Sequence, residues 1–176
     1  MIRKLFCITC MALFFMGFSI PDRTQKKANK VIEKFYDIEH FSKKIVDIAA
    51  SGNEETIAEF GEGNLFKIEV DETVLGYGYI GNAPSKTATF DYLVLFDINF
   101  TVTKSKVLIY REEYGGEIGS KRWLKQFNGK SSTSEEMIYN QNIIPISGAT
   151  ISVRSMTKAM NELLQSIGKL QELNLI

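Results

Sequence analysis

Cysteine is nearly missing from this sequence. Two occur, Cys7 and Cys10, and both lie in the first ten residues. Their absence downstream excludes a structural disulfide, a thiol nucleophile and a cysteine metal site from the rest of the chain. The C-x-x-C spacing of "CITC" falls inside an apolar stretch and reads there as two small apolar residues. Histidine is scarcer still, with His40 alone. One imidazole rules out paired-histidine zinc motifs and leaves a histidine-based triad little to work with. His40 sits beside Glu39 and near Lys43 in an expected helix, where it reads as a surface or helix-packing residue. An excess of charge is also lacking, since 21 Lys and Arg balance 21 Asp and Glu. Extended nucleic-acid surfaces need clustered positive charge, so no nucleic-acid partner is expected, although a local basic patch is compatible with neutrality. The carboxylates lack a convincing catalytic pair. Glu112–Glu113 and Glu135–Glu136 are sequence neighbours, and in extended chain such neighbours point to opposite faces.

What is present begins with an apolar run. Arg3 and Lys4 precede Leu5 to Ile20, with Gly17 and Ser19 ahead of Pro21. A basic start, an apolar middle and small residues describe a secretory signal peptide. The run is short of the roughly 20 apolar residues of a spanning helix, and an uncleaved membrane anchor is the second reading. Both place the remainder outside the cytoplasm, in the periplasm or cell envelope. The chain then divides into residues 1–21 (signal or anchor), residues 22–63 (an N-terminal helical segment) and residues 64–176 (one domain). A length of 176 residues, 44% of them hydrophobic and 24% charged, suits a folded domain with a sizeable core.

Val31, Ile32, Phe35, Ile38, Phe41, Ile45 and Ile48 recur at helical spacing and predict an amphipathic helix from about Lys26 to Ala50, stopped by "SGNEE". Four strand-like stretches follow, "NLFKIEV", "TVLGYGYIG", "FDYLVLFDI" and "KVLIYRE". The third is apolar almost throughout, as for a central strand. Short links between them favour an antiparallel sheet. After a glycine-rich turn, a short helical piece carries Trp123, Leu124 and Phe127. A last helix from about Ile151 to Leu170 shows one apolar face. The expected class is α+β, an antiparallel sheet packed with helices.

Chemistry is most concentrated at "SGATIS", Ser147 to Ser152. A helix start offers unpaired N–H groups and the positive end of a dipole, which suits a phosphate. Gly148 and Ala149 leave the backbone approachable. Ser147, Thr150 and Ser152 carry hydroxyls, and Arg154 lies one turn after Thr150. The plain alternative is a Ser or Thr cap on a helix.

"SGATIS" with Arg154 resembles the signature of the FMN-binding domain family, bacterial modules related to components of the sodium-pumping quinone reductase and of the Rnf electron-transport complex. "GYGYIGNAPSKTATFDYLVLFD" and "VLIYREEYGGEIGSKRWLKQFNGK" extend the resemblance over most of residues 64–170. It implies FMN as cofactor, joined through a phosphoester to Thr150 by a flavin transferase that uses FAD and magnesium. It also implies a glycine loop at Gly115, Gly116 and Gly119 whose backbone meets the flavin, with Glu113 beside it. Trp123 and Phe127 read either as walls of the flavin site or as core. Three positions before the motif's serine, where the family usually has an acidic residue, stands Ile144. The function so implied is extracytoplasmic electron transfer between redox partner proteins, within or near a membrane complex. Two alternatives stay open, a flavin-free binding or structural module of the same fold and a reductase that holds FMN without a covalent bond.

Overall fold

The computed structural model describes residues 20–176. The expected signal or anchor segment falls almost wholly outside these residues, as do Cys7 and Cys10. Among the described residues no helix is long and apolar enough to cross a membrane.

Five strands form one antiparallel sheet in chain order. They are β1 (Ser42–Ile45), β2 (Leu65–Val70), β3 (Thr73–Pro84), β4 (Thr89–Phe96) and β5 (Val102–Tyr110). Helix α1 (Asp22–Tyr36) precedes the sheet, and the short α2 (Ala50–Glu54) lies between β1 and β2. A 3₁₀ turn at Gly116–Gly119 leads into α3 (Lys121–Leu124), and α4 (Thr150–Glu172) closes the chain.

β4 explains the layering. Phe90, Tyr92, Val94 and Phe96 belong to the core that contains Val153, Met156, Met160, Leu163 and Ile167 of α4. Leu93 and Leu95 belong to the second core, with Phe66, Ile68, Ile80, Leu108 and Ala28 and Ile32 of α1. Alternate residues therefore face opposite helices, and a strand covered on both sides is apolar almost throughout. Gly78 and Gly81 leave room on β3 for the rings of Phe66 and Tyr92. The α+β class and the antiparallel sheet are as the sequence implies.

The N-terminal helix ends earlier than its apolar spacing predicts. Asp37 adopts a left-handed conformation (φ 56°) and returns its N–H to the Glu33 carbonyl. The chain then turns, and Ser42–Ile45 pairs with β2, Ser42 opposite Glu69 and Ile45 opposite Phe66. Lys44 reaches Glu69 at 2.8 Å across that pair. His40 lies in the connection between α1 and β1 rather than in a helix. "SGNE" is the body of α2 rather than a stop signal.

Charge ties α1 to the sheet. Asp91 on β4 is 4% exposed. It accepts from Thr24 Oγ1 of α1 at 2.7 Å and from Asn82 Nδ2 of β3 at 2.7 Å. Arg111, just past β5, grips the same carboxylate with two nitrogens at 3.0 and 2.7 Å. Burial pushes the Asp91 carboxyl up, but the hydrogen bonds from Arg111, Thr24 and Asn82, and the guanidinium charge, hold it below its ordinary value.

Candidate functional site

A cleft of about 840 Å³ opens at the end of the sheet where β3 passes into β4 and where β5 finishes. Its walls are Lys86 and Thr87 of the β3–β4 turn, Tyr110 to Tyr114, and Gly148 to Ser152 at the start of α4. The size is within the roughly 300–1,000 Å³ of small-molecule and cofactor sites.

The start of α4 has no side-chain cap. The capping position is Ala149 (φ −120°, ψ 21°), and Thr150 is the first helical residue. Val153 N–H to the Ala149 carbonyl, at 2.9 Å, is the first bond of the helix. The N–H groups before it, those of Thr150, Ile151 and Ser152, are the ones a helix start leaves for an external acceptor. Thr150 is exposed on the cleft wall. Its hydroxyl is therefore not a helix cap but a group presented to whatever fills the cleft. Gly148 has φ 80°, and a Cβ added there would meet nothing within 4 Å. The approach to the backbone is open, as the small residues imply.

The glycine loop meets this helix start. Gly115 is buried with φ 84°, and a Cβ on it would lie 2.7 Å from Tyr110 Oη and 3.4 Å from Ala149 Cβ. Gly116 and Gly119 belong to the 3₁₀ turn, have no positive φ, and do not line the cleft. Of the three glycines only Gly115 uses the conformational freedom expected of them.

Tyr110 organises the junction. Its hydroxyl donates to the Tyr114 carbonyl at 2.9 Å and pairs with Ser152 Oγ at 3.0 Å. Ser152 is buried at the inner edge of the cleft wall, and its hydroxyl ties α4 to the end of β5. Tyr114 stands 81% exposed on the cleft wall, an aromatic face without cover. Neither tyrosine stands out in the sequence. Their one signal there is position, at the end of an apolar strand and just ahead of Gly115.

The cations differ from those expected. The Arg154 guanidinium lies 4.7 Å above the Tyr139 ring, in a separate hollow with Glu136 and Asn161. The cleft is lined instead by Lys86 and Arg111. Beside Arg111, Glu112 binds the β3–β4 turn. One of its oxygens accepts from Ser85 Oγ and Thr87 N–H at 2.6 Å and from Ala88 N–H at 3.0 Å. The Ser85 hydroxyl and these N–H groups hold the Glu112 carboxyl down to about 2. Glu113 lines the cleft, as its place before the glycine turn implies.

Trp123 and Phe127 are core. Their rings meet edge to face at 5.2 Å and both side chains are buried. Neither lines the cleft. Trp123 acts on the site at one remove. Its indole N–H donates to the Ile144 carbonyl at 2.7 Å, while Ile144 N–H donates to Gln126 Oε1 at 2.7 Å. The W-x-x-Q stretch thus clamps the backbone that leads into "SGAT". The Ile144 side chain is left 67% exposed. Ser147 is exposed as well, outside the cleft wall.

Residues 86–165 match the model of the FMN-binding domain family. The span begins at the β3–β4 turn and ends within α4, so it contains the whole cleft wall. Among solved structures, NqrC of Shewanella oneidensis has a similar fold, with a TM-score of 0.51 and 13% identity. The likeness covers 78% of this chain and 91% of that one. No curated protein matches the sequence. The family match points to FMN as the cofactor, and the cleft suits it. An uncapped helix start is available for a phosphate, Lys86 brings a positive charge that no carboxylate among the described residues holds as Asp91 holds Arg111, and Tyr114 offers a flat face to a ring.

Proposed function

From the match of residues 86–165 to the FMN-binding domain family, we propose that this protein carries FMN in the cleft, fixed to Thr150, and relays electrons outside the cytoplasm. The observation that carries the reading is the uncapped start of α4, with an exposed Thr150 hydroxyl on the wall of a cofactor-sized cleft. Bound FMN supplies exchange of one or two electrons. The chain's own residues bind and orient it. The free N–H groups of the first turn take phosphate oxygens, Gly148 keeps the approach clear, and the Trp123–Gln126 clamp fixes the segment before them.

Attachment would use Thr150 Oγ1 as the acceptor of the FMN half of FAD, with AMP as the leaving group and the hydroxyl proton passing to the transferase or to water. A tether of this kind keeps the cofactor from dilution where none is synthesised. In the cleft, Glu112 is committed to the β3–β4 turn, and Glu113 is the other carboxylate on the wall. The family match favours a relay between redox proteins, in the setting of a membrane electron-transport complex, over a stand-alone enzyme.

Ile144 favours a second reading, in which FMN is held without the covalent bond. Its exposed apolar side chain stands where the family usually offers a carboxylate to the transferase. Co-expression with a flavin transferase, followed by a denaturing gel, separates the readings. A fluorescent band that disappears in Thr150→Ala is the expected result. Yellow protein with a dark band supports the second reading, and colourless protein throughout refutes both.

A further inference from the structure

The outer face of α1 carries a stripe of one charge. Arg23, Lys26, Lys27, Lys30 and Lys34 recur at spacings of three and four, and all are exposed. The opposite face, Thr24, Ala28 and Ile32, is buried against the sheet. Lys27 lays its stem along β5, with Nζ donating to the Leu108 carbonyl at 2.9 Å. Toward the far end of the helix stands Lys104 of β5, its ammonium over the Phe35 ring and its pKa lowered first by burial and then by the nearby Lys121, Lys106 and Lys34. Four ion pairs form among the described residues, and none involves a cation of this stripe. The acidic groups of α1 are Asp22 at its first turn and the half-buried Glu33. In a chain of zero net charge, so many unpaired cations on one face are a segregation of charge, not a general excess.

We propose that this face of α1, continued by Lys104, Lys106 and Lys121, rests on an anionic lipid surface. What selects lipid is the neighbouring sequence, in the reading that keeps it as an uncleaved anchor. The apolar run Leu5–Ile20 leads into the helix with no linker. Ile20 is already 8% exposed in the α1-side core, and the Pro21 carbonyl accepts from Thr24 N–H at 2.8 Å. An apolar segment joined directly to a basic helix face matches the two halves of a bilayer leaflet, acyl chains and acidic headgroups. The inference does not depend on whether the cleft holds flavin.

The test uses the full chain with vesicles of phosphatidylcholine, with and without about 30% phosphatidylglycerol. Lysine acetylation rates are read residue by residue by mass spectrometry. Lys26, Lys30 and Lys34 are expected to label roughly fivefold more slowly on the anionic vesicles, and about 0.5 M salt should restore them. Lys158, exposed on α4, should label equally on both. The triple variant Arg23→Gln, Lys26→Gln, Lys30→Gln should lose the protection at Lys34. Neutral vesicles control for insertion of the apolar run itself. Equal labelling on the two vesicle types overturns the proposal. Protection by single-stranded RNA but not by anionic vesicles also overturns it and assigns the face to nucleic acid.

Discussion

Alanine at Gly115 and alanine at Gly148 should differ in cost, and the difference can be worked from the cleft. Both glycines hold left-handed backbone, at φ 84° and 80°. An L residue there costs about 1–2 kcal/mol. At Gly148 that is the whole effect, because an added Cβ meets nothing within 4 Å. At Gly115 the Cβ would land 2.7 Å from Tyr110 Oη. That hydroxyl cannot retreat freely, since it is held by the Tyr114 carbonyl and by Ser152. Making room breaks one or both bonds, each worth about 0.5–1.5 kcal/mol net. Gly115→Ala should therefore destabilise by roughly 2–4 kcal/mol, against about 1–2 for Gly148→Ala. Urea unfolding reads both as midpoint shifts at constant slope. The decisive arm is Tyr110→Phe, which removes the obstructing oxygen. In that background Gly115→Ala should cost only the backbone strain, a coupling of about 1–2 kcal/mol in the double-mutant cycle. Equal costs at the two glycines, or no coupling to Tyr110, would refute the junction as described.

Asp91→Asn should destabilise by about 2–4 kcal/mol, below the full cost of a broken buried pair because the Arg111 side chain is 36% exposed and can hydrate. The Asp91 pKa is depressed on folding, so its contribution is present above the unfolded value of about 3.9 and is lost as pH falls through the folded one. Urea unfolding at neutral pH and near pH 3 should show the gap between variant and parent narrowing, and a gap independent of pH would contradict this. Lys43, half-buried with its ammonium 4.5 Å from the Phe66 ring centre, has its pKa lowered to about 8 by burial. Between that value and about 10.4 the unfolded chain binds the extra proton, so this group makes stability rise with pH across the window, and Lys43→Met should flatten the slope. A Lys43 titration near 10.4 by NMR would count against it. Glu112→Gln weakens the acceptor that gathers the β3–β4 turn, so amide exchange at Thr87 and Ala88 should speed up, and unchanged exchange there would mean the turn stands without it.

The parts of this fold written in local pattern are legible. β4 announces itself because both its faces are covered, and α4 because one apolar stripe runs its length. β1 is hidden for a physical reason. Phe41, Ile45 and Ile48 continue the spacing of the helix before them, and only pairing with β2, some twenty residues on, makes Ser42–Ile45 a strand. The same holds in the cleft. Thr150 and Gly148 can be singled out from their neighbours in sequence. Tyr110, Arg111 and Glu112 owe their roles to Ser152, Asp91 and the β3–β4 turn, partners that no spacing rule reaches. Helical periodicity assigns Arg154 to the ligand side of α4, but the Tyr139 ring takes its charge. Trp123 reads from sequence as wall or core, and the indole bond to Ile144 gives it a third part, as a fastener of the segment before the motif.

The bond from Thr24 to Asp91, and from Asp91 to Arg111, also bears on rate. It connects the first turn of α1 to the wall of the cleft through two side-chain contacts. Electron tunnelling falls steeply with distance, so a carrier on a swivelling stalk would average over many separations and pass charge at a spread of rates. Here the Thr24–Asp91–Arg111 contacts join the start of α1 to the cleft wall. Under the proposed relay function, an attachment at the start of α1 would also aim the cleft and would set one separation from the next redox centre.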